Sequence, residues 1–320
     1  MTRGPSSLLL AVVNVSALCA PASGSAWAAT SVPPVRAVVL GVAQDGGVPH
    51  IGCQQPLCVR ARRDPSRRQR VACLGLIDDR AGQRFLIDAT PDMASQIESL
   101  DQGRRPADPR RPVDGILLTH AHIGHYTGLM YFGREALGAR AVPVYATARM
   151  AAFLRTSGPW SQLVALGQIE LREVEPGRET VLTPSLAFTP VRVPHRDELS
   201  DTVGYVVRGP TAALLYVPDI DKWEKWDRRV EDEVARVDTA LVDGTFFSAD
   251  ELPGRPIDEV RHPLVSETTA RLAALSSRVV FIHLNHTNPL FWDGRARGDL
   301  GRRGFRVASD GLVLPLSRTR

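Results

Sequence analysis

The chain has 320 residues, 43% of them hydrophobic and 23% charged, and carries a formal net charge of +4. These are the values of an ordinary soluble globular protein, long enough for one sizeable domain or two small ones. Lys222 and Lys225 are the only lysines, and the arginines are scattered without interleaved aromatics, which argues against a nucleic-acid partner.

The first thirty residues differ from the rest. Met1-Thr2-Arg3 is positively charged, 8–20 is an apolar run, and Ala26-Trp27-Ala28 offers a small-x-small cleavage site before Ala29. Residues 1–28 therefore read as a secretory signal peptide, with cleavage near Ala28/Ala29. The run is too short for a stable bilayer anchor, and Leu18 before Cys19 is too large for a lipoprotein site. The mature protein is expected to be periplasmic or secreted, with no membrane contact after cleavage.

From residue 35 onward short apolar runs alternate with polar connectors. Strands are expected at 37–42, 72–78, 84–87, 115–118, 142–145, 169–174, 186–193, 202–208, 212–217, 239–242 and 279–284. A last element at 305–314 is broken by the Asp310-Gly311 turn. Helical periodicity is clearest at 93–100, 129–137, 146–156, 223–237 and 266–275. The arginines between Arg60 and Arg70 read as a solvated helix face followed by a loop. Many strands with interspersed helices define an α/β class with helix-covered sheets. No internal repeat or linker divides the chain.

The most informative segment is Thr119-His120-Ala121-His122-Ile123-Gly124-His125. It follows a buried strand and enters a helix, so side chains two apart can meet at one centre while the third comes off the first helical turn. Imidazole is a common ligand for zinc and other first-row metals. The rest of the chain repeats the placement of His or Asp at strand ends: Asp88, His195, Asp219 and His283, with His286 three residues later. Layered α/β folds gather ligands where strand ends converge. His262 reads as an ordinary loop histidine, and His50, near a glycine-rich turn, is uninformative alone.

The order His120-x-His122-x-Gly124-His125, then a lone His, a lone Asp and a late His, resembles the metallo-β-lactamase superfamily. Within it the chain is similar to the pyrroloquinoline-quinone (PQQ) biosynthesis B group. Gly46-Gly47-Val48-Pro49 before Cys53, Val217-Pro218-Asp219-Ile220-Asp221 with Trp223, Asp243-Gly244-Thr245, and Phe281-Ile282-His283-Leu284-Asn285 with Thr287-Asn288-Pro289 carry that likeness. The resemblance implies an αββα sandwich as a single domain over residues 36–316. It implies a first metal site on His120, His122 and His195, and a second on His125, His283 and a bridging Asp219. Asp88 would hold the histidine loop from behind the ligands.

Two departures bear on chemistry. Superfamily members usually have Asp where this chain has Gly124, so the second site is expected to lack a carboxylate and bind its cation weakly, unless His286 replaces the ligand or acts as an acid. Related proteins hold a structural zinc on Cys-x-Cys-x-x-Cys, whereas this chain has Cys53, Gln55 and Cys58. Two thiolates are a poor zinc site. A Cys53–Cys58 disulfide is expected in an exported protein, residual zinc binding being the alternative.

The expected function is an exported metal-dependent hydrolase. One or two Zn2+ ions would supply hydroxide for attack on an ester, amide or phosphodiester in a small-molecule substrate. Asp219 would orient the hydroxide, while His286 or a second metal stabilises the leaving group. The alternatives are a non-haem Fe2+ oxygenase related to quinone biosynthesis and a non-catalytic binding protein on the same fold. A signal peptide weighs against the oxygenase, because quinone assembly is expected in the cytoplasm.

Overall fold

A computed structural model describes residues 1, 2, 4, 32–101, 105–254, 256 and 259–318. The expected signal peptide lies almost wholly outside these residues. Six strands build most of one sheet: β1 (Val35–Gly41), β2 (Cys73–Asp78), β3 (Gln83–Ile87), β4 (Gly115–Leu117), β5 (Val142–Ala146) and β6 (Ile169–Glu173). The second sheet holds β7 (Thr180–Thr183), β8 (Leu186–Arg192), β9 (Val203–Arg208), β10 (Ala213–Val217), β11 (Thr239–Asp243), β12 (Val279–Ile282) and β13 (Arg306–Val307). The chain then returns to the first sheet, where β14 (Val313–Pro315) pairs antiparallel with β1. The two seven-stranded orders are β14-β1-β2-β3-β4-β5-β6 and β13-β12-β11-β10-β9-β8-β7.

Strand side chains alternate between faces, and here most strands are buried on both. Along β1, Val35, Ala37 and Val39 enter the layer between the sheets, where they meet Leu74, Phe85, Phe188, Tyr205 and Tyr216. Val38 and Leu40 point the other way, into the layer that Met93, Leu129, Phe132 and Met150 close. On the outer face of the second sheet, Trp223, Trp226, Val234, Leu272 and Leu300 cover β10, β11 and β12. Helices therefore lie outside both sheets, giving an α/β, metallo-β-lactamase-type αββα sandwich. Continuous apolar runs such as Val279–Ile282 are what strands buried on both faces require.

Some expected elements differ. The 129–137 helix is instead a 3-10 segment, Thr127–Phe132, because Gly133 is extended and ends it. The 223–237 helix is a short 3-10 turn, Trp223–Lys225, followed by the helix Val230–Ala235. The helix Gly294–Arg302 escaped the sequence reading, since it contains three glycines and buries only Leu300. The arginine-rich stretch is as expected: the helix Pro56–Arg63 exposes Arg60, Arg62 and Arg63 and buries Leu57, Cys58 and Ala61.

Candidate metal centre

Five strand ends deliver functional side chains to one edge of the sandwich, the end of β8 carrying His195. β3 ends into Asp88, β4 into Thr119 and His120, β10 into Asp219, and β12 into His283. Asp88 (φ 73°) and His283 (φ 63°) both take the left-handed backbone conformation, which costs a non-glycine residue about 1 kcal/mol or more. In each case it turns the chain immediately after a buried strand.

The histidine loop is clamped by the opposite sheet. The Tyr205 hydroxyl on β9 donates to the Leu118 carbonyl at 2.5 Å, the Val203 amide to the Thr119 carbonyl at 3.0 Å, and the Ala121 amide to Ser200 Oγ at 2.9 Å. Behind the loop, Asp88 is fully buried. Its Oδ1 accepts from the Thr119 amide and hydroxyl at 2.8 and 2.9 Å, while Oδ2 accepts from His125 Nδ1 at 2.8 Å.

Two groups of donors face inward. His120, His122, His195 and Asp219 each offer one atom within 4.8 Å of all the others, and so do Asp45, His125 and His283. In the first group His120 Nε2 and His122 Nδ1 are 2.9 Å apart, and His195 Nε2 is 3.3 Å from Asp219 Oδ1. Asp219 Oδ2 lies between the groups. It is 3.4 Å from His120 Nε2, 3.9 Å from His122 Nδ1, and 4.0 Å from both His125 Nε2 and His283 Nε2.

The opposite nitrogens of His120, His125 and His283 have hydrogen-bonding neighbours that fix the rings, whereas His195 Nδ1 stands near Asp221 without a hydrogen bond to it. Thr119 Oγ1 is 3.0 Å from His120 Nδ1, Thr245 Oγ1 is 3.0 Å from His283 Nδ1, and Asp221 Oδ1 is 3.3 Å from His195 Nδ1. Glu198 Oε2 lies 3.5 Å from His122 Nε2. Such outer contacts select the nitrogen left free for a metal. That inward set is incompletely satisfied within the protein: His125 Nε2, His195 Nε2, His283 Nε2, Asp45 Oδ1 and Asp219 Oδ1 are buried without a hydrogen-bond partner. Several orphaned donors aimed at shared points, all nitrogen or carboxylate oxygen, fit a divalent cation.

Electrostatics support the same fit. Burial alone would raise Asp219, but the neighbouring imidazoles of His195 and His262 hold its carboxyl well below the usual range. Burial pushes the His195 imidazole down, and the carboxylates of Asp219 and Asp221 outweigh it, holding the group up at about 9. His125 stays well above its ordinary value for the same reason, with Asp88 and Asp45 opposing burial. The carboxylates thus favour positive charge at the centre, whether on protons or on a metal.

Three residues were missed by the sequence reading. Asp45 joins His125 and His283, with its Oδ1 3.3 and 3.8 Å from their Nε2 atoms. It lies in the turn beyond β1, and only the fold brings it to the two histidines. His262, read as a loop histidine, places Nδ1 2.9 Å from Asp243 Oδ2 and 3.2 Å from Asp219 Oδ1. Asp243 also accepts from the Ile220 amide at 3.2 Å, so it steadies the residue beside Asp219.

The two expected roles of His286 do not agree with its position. Its Nδ1 lies 3.4 Å from Cys53 Sγ and 3.8 Å from Cys58 Sγ, and its ring stacks on His50 at 4.4 Å between centroids. The chain turns after His283, where the Leu284 amide bonds the Val42 carbonyl and the Asn285 amide the Thr245 carbonyl, and this carries His286 toward the helix Pro56–Arg63. The expected Cys53–Cys58 disulfide is likewise corrected, because both cysteines are free. An imidazole sits against both thiols, and the three donor atoms lie within 4.8 Å of one another. A cleft of about 730 Å³ opens beside this cluster, lined by Leu57, Arg60, Glu251, His286, Thr287 and Trp292 among others. Trp223, Trp226 and Phe246 are buried.

The fold and its edge of histidines and carboxylates define a metallo-β-lactamase-type protein, and the sequence model of the beta-lactamase superfamily domain matches residues 83–284. The chain belongs to that superfamily and, within it, to the family of coenzyme PQQ synthesis protein B. The Cupriavidus necator member is 30% identical over 317 residues, covering 87% of this chain and 98% of its own. The Methylobacterium radiotolerans member is 28% identical over 305 residues, covering 88% and 100%. The crystal structure of Zn2+-bound PqqB from Methylobacterium extorquens superposes with a TM-score of 0.73 at 25% identity, covering 88% of this chain and 100% of its own.

Proposed function

We propose that the protein is a metal-dependent hydrolase acting on an ester, amide or phosphodiester bond of a small molecule. The observation that carries this reading is Asp219 Oδ2, which stands 3.4–4.0 Å from ligand nitrogens of both histidine groups. His120 Nε2, His122 Nδ1 and His195 Nε2 would hold one ion, and His125 and His283 a second, with Asp219 shared between them. A divalent ion in such a site, when bound, acts as a Lewis acid and makes water nucleophilic at neutral pH. The relative crystallised with Zn2+ makes zinc the first candidate, while a nitrogen and oxygen donor set also accepts Fe2+.

The chain's own residues do the rest. Asp219, fully ionised, orients the attacking water and accepts its hydrogen bond. His262 engages Asp243 through Nδ1, leaving Nε2 to give a proton to the departing group, the role earlier expected of His286. His122 is the most exposed of the five histidines of the two groups, with 14% of its side chain accessible, so substrate approaches from its side. Residues 1–28 support export, and a mature chain beginning at Ala29 is the expected product.

The test is a hydrolysis assay on bis(p-nitrophenyl) phosphate and p-nitrophenyl esters, with the chain loaded with zinc or with iron, beside His122→Ala. Turnover that needs the metal and is lost in the variant supports the reading. Full turnover in His122→Ala contradicts it. Dioxygen uptake by the iron form without hydrolysis would replace it with an oxygenase.

A further inference from the structure

The glycine at position 124 leads to the expectation of a second site poor in carboxylate. We infer that Asp45 supplies that carboxylate from a different segment, and that residue 124 is glycine because Asp45 fills the space its side chain would need. This rests on the metal-centre reading above and names a further ligand for it.

The first observation is steric. A Cβ built on Gly124 would fall 2.1 Å from Asp45 Oδ1, 2.9 Å from its Cγ and 2.7 Å from its Cα. Real Cβ atoms do not approach other atoms so closely. Conformation gives no competing reason for the glycine, since residue 124 lies within the short helix Ile123–Tyr126 and has no positive φ. Space is what requires it.

The second observation is the direction of the carboxylate. Asp45 Oδ1 is buried, has no hydrogen-bond partner, and stands 3.3 Å from His125 Nε2 and 3.8 Å from His283 Nε2. Both of those nitrogens are also buried and unpartnered. Three donors converge without satisfying one another, which is the arrangement a cation completes. A simple ion pair would have closed at least one of those contacts into a hydrogen bond.

The third observation is that Asp45 is held there. The Gln44 amide donates to the Leu284 carbonyl at 2.9 Å, Ala43 forms a parallel bridge with Leu284, and the Gly47 amide closes a turn on the Gln44 carbonyl at 2.7 Å. The turn carrying Asp45 is thus fastened to the residue following His283. A ligand lost from the histidine loop has been replaced by one from the end of β1, and the second site keeps its negative charge.

The experiment counts zinc by elemental analysis after equilibration with a competing chelator. It uses the full chain, Asp45→Asn, Gly124→Ala, the double variant and His120→Ala. Thermal unfolding in chelator checks that each is folded. Asp45→Asn is expected to bind one ion fewer, or to hold that ion at least about tenfold more weakly, the lower bound for losing even an outer partner of a metal. Gly124→Ala should do the same by displacing Asp45, and the double variant should be no worse than the weaker single one, because both act on one ligand. If Gly124→Ala does not fold, Asp45→Asn decides alone. An unchanged count and affinity in Asp45→Asn overturns the inference while leaving the centre intact. A count that does not fall in His120→Ala overturns the centre itself.

Discussion

The two halves of the candidate metal centre are built differently. His120, His122 and His195 come from one loop and one strand end, and His122 remains partly open to solvent. Asp45, His125 and His283 come from three distant segments, and both histidines are completely buried. The outer half relies on a hydrogen-bonded loop, whereas the inner half relies on packing: a left-handed His283, a fully buried Asp88 and a turn tied to Leu284. A site of this kind can present one ion to substrate while the other is held mainly by the fold.

The largest expected effect erases the difference between the halves. Asp219→Ala removes the carboxylate they share, so both should lose affinity together and turnover should fall by at least about a thousandfold, in line with the several kcal/mol a metal supplies. Zinc titration with parallel kinetics checks this, and loss of only one ion would show that Asp219 belongs to one half. Next comes Asp88→Asn, which disturbs His125 directly. It should weaken the inner ion about 10- to 100-fold and the outer ion less, as read by stepwise zinc release to chelators.

Tyr205→Phe tests the clamp on the histidine loop. It leaves the buried Leu118 carbonyl without its side-chain donor, and urea unfolding should show a loss of about 1–3 kcal/mol. The smallest effect is a control away from both halves. At Asp79 burial opposes ionisation, but hydrogen bonds from Arg36 and Arg84 outweigh it and hold the carboxyl below its usual range. A depressed carboxylate contributes stability above its unfolded pKa that is lost as pH falls through the folded one. Asp79 is 40% exposed, so solvent screening limits the contribution to about 0.5 kcal/mol. The deficit of Asp79→Asn in urea unfolding should be present near about pH 6 and vanish in strong acid.

The same contrast governs what could be read from sequence. The outer half is legible because its spacing is local: two histidines two residues apart after an apolar run need little tertiary information. The strands were also legible, since burial on both faces leaves continuous apolar runs. Asp45 was not, because the reason it matters is a distance to Gly124 that only folding creates. The positions of His262 and His286 were not legible for a similar cause. Each sits in a loop whose direction is set by backbone hydrogen bonds after a strand, and nothing in Arg261-His262-Pro263 indicates that it turns toward Asp243. The disulfide expectation counted only cysteines near in sequence and omitted the imidazole that reaches them from 228 residues away. Glycine-rich helices such as Gly294–Arg302 carry too little apolar periodicity to register.

The most direct test of the account is anomalous diffraction at the zinc and iron edges from crystals of the protein as purified. The account predicts two peaks flanking the Asp219 carboxylate, one among His120, His122 and His195 and the other among Asp45, His125 and His283. No anomalous peak within ligand distance of Asp219 would contradict it.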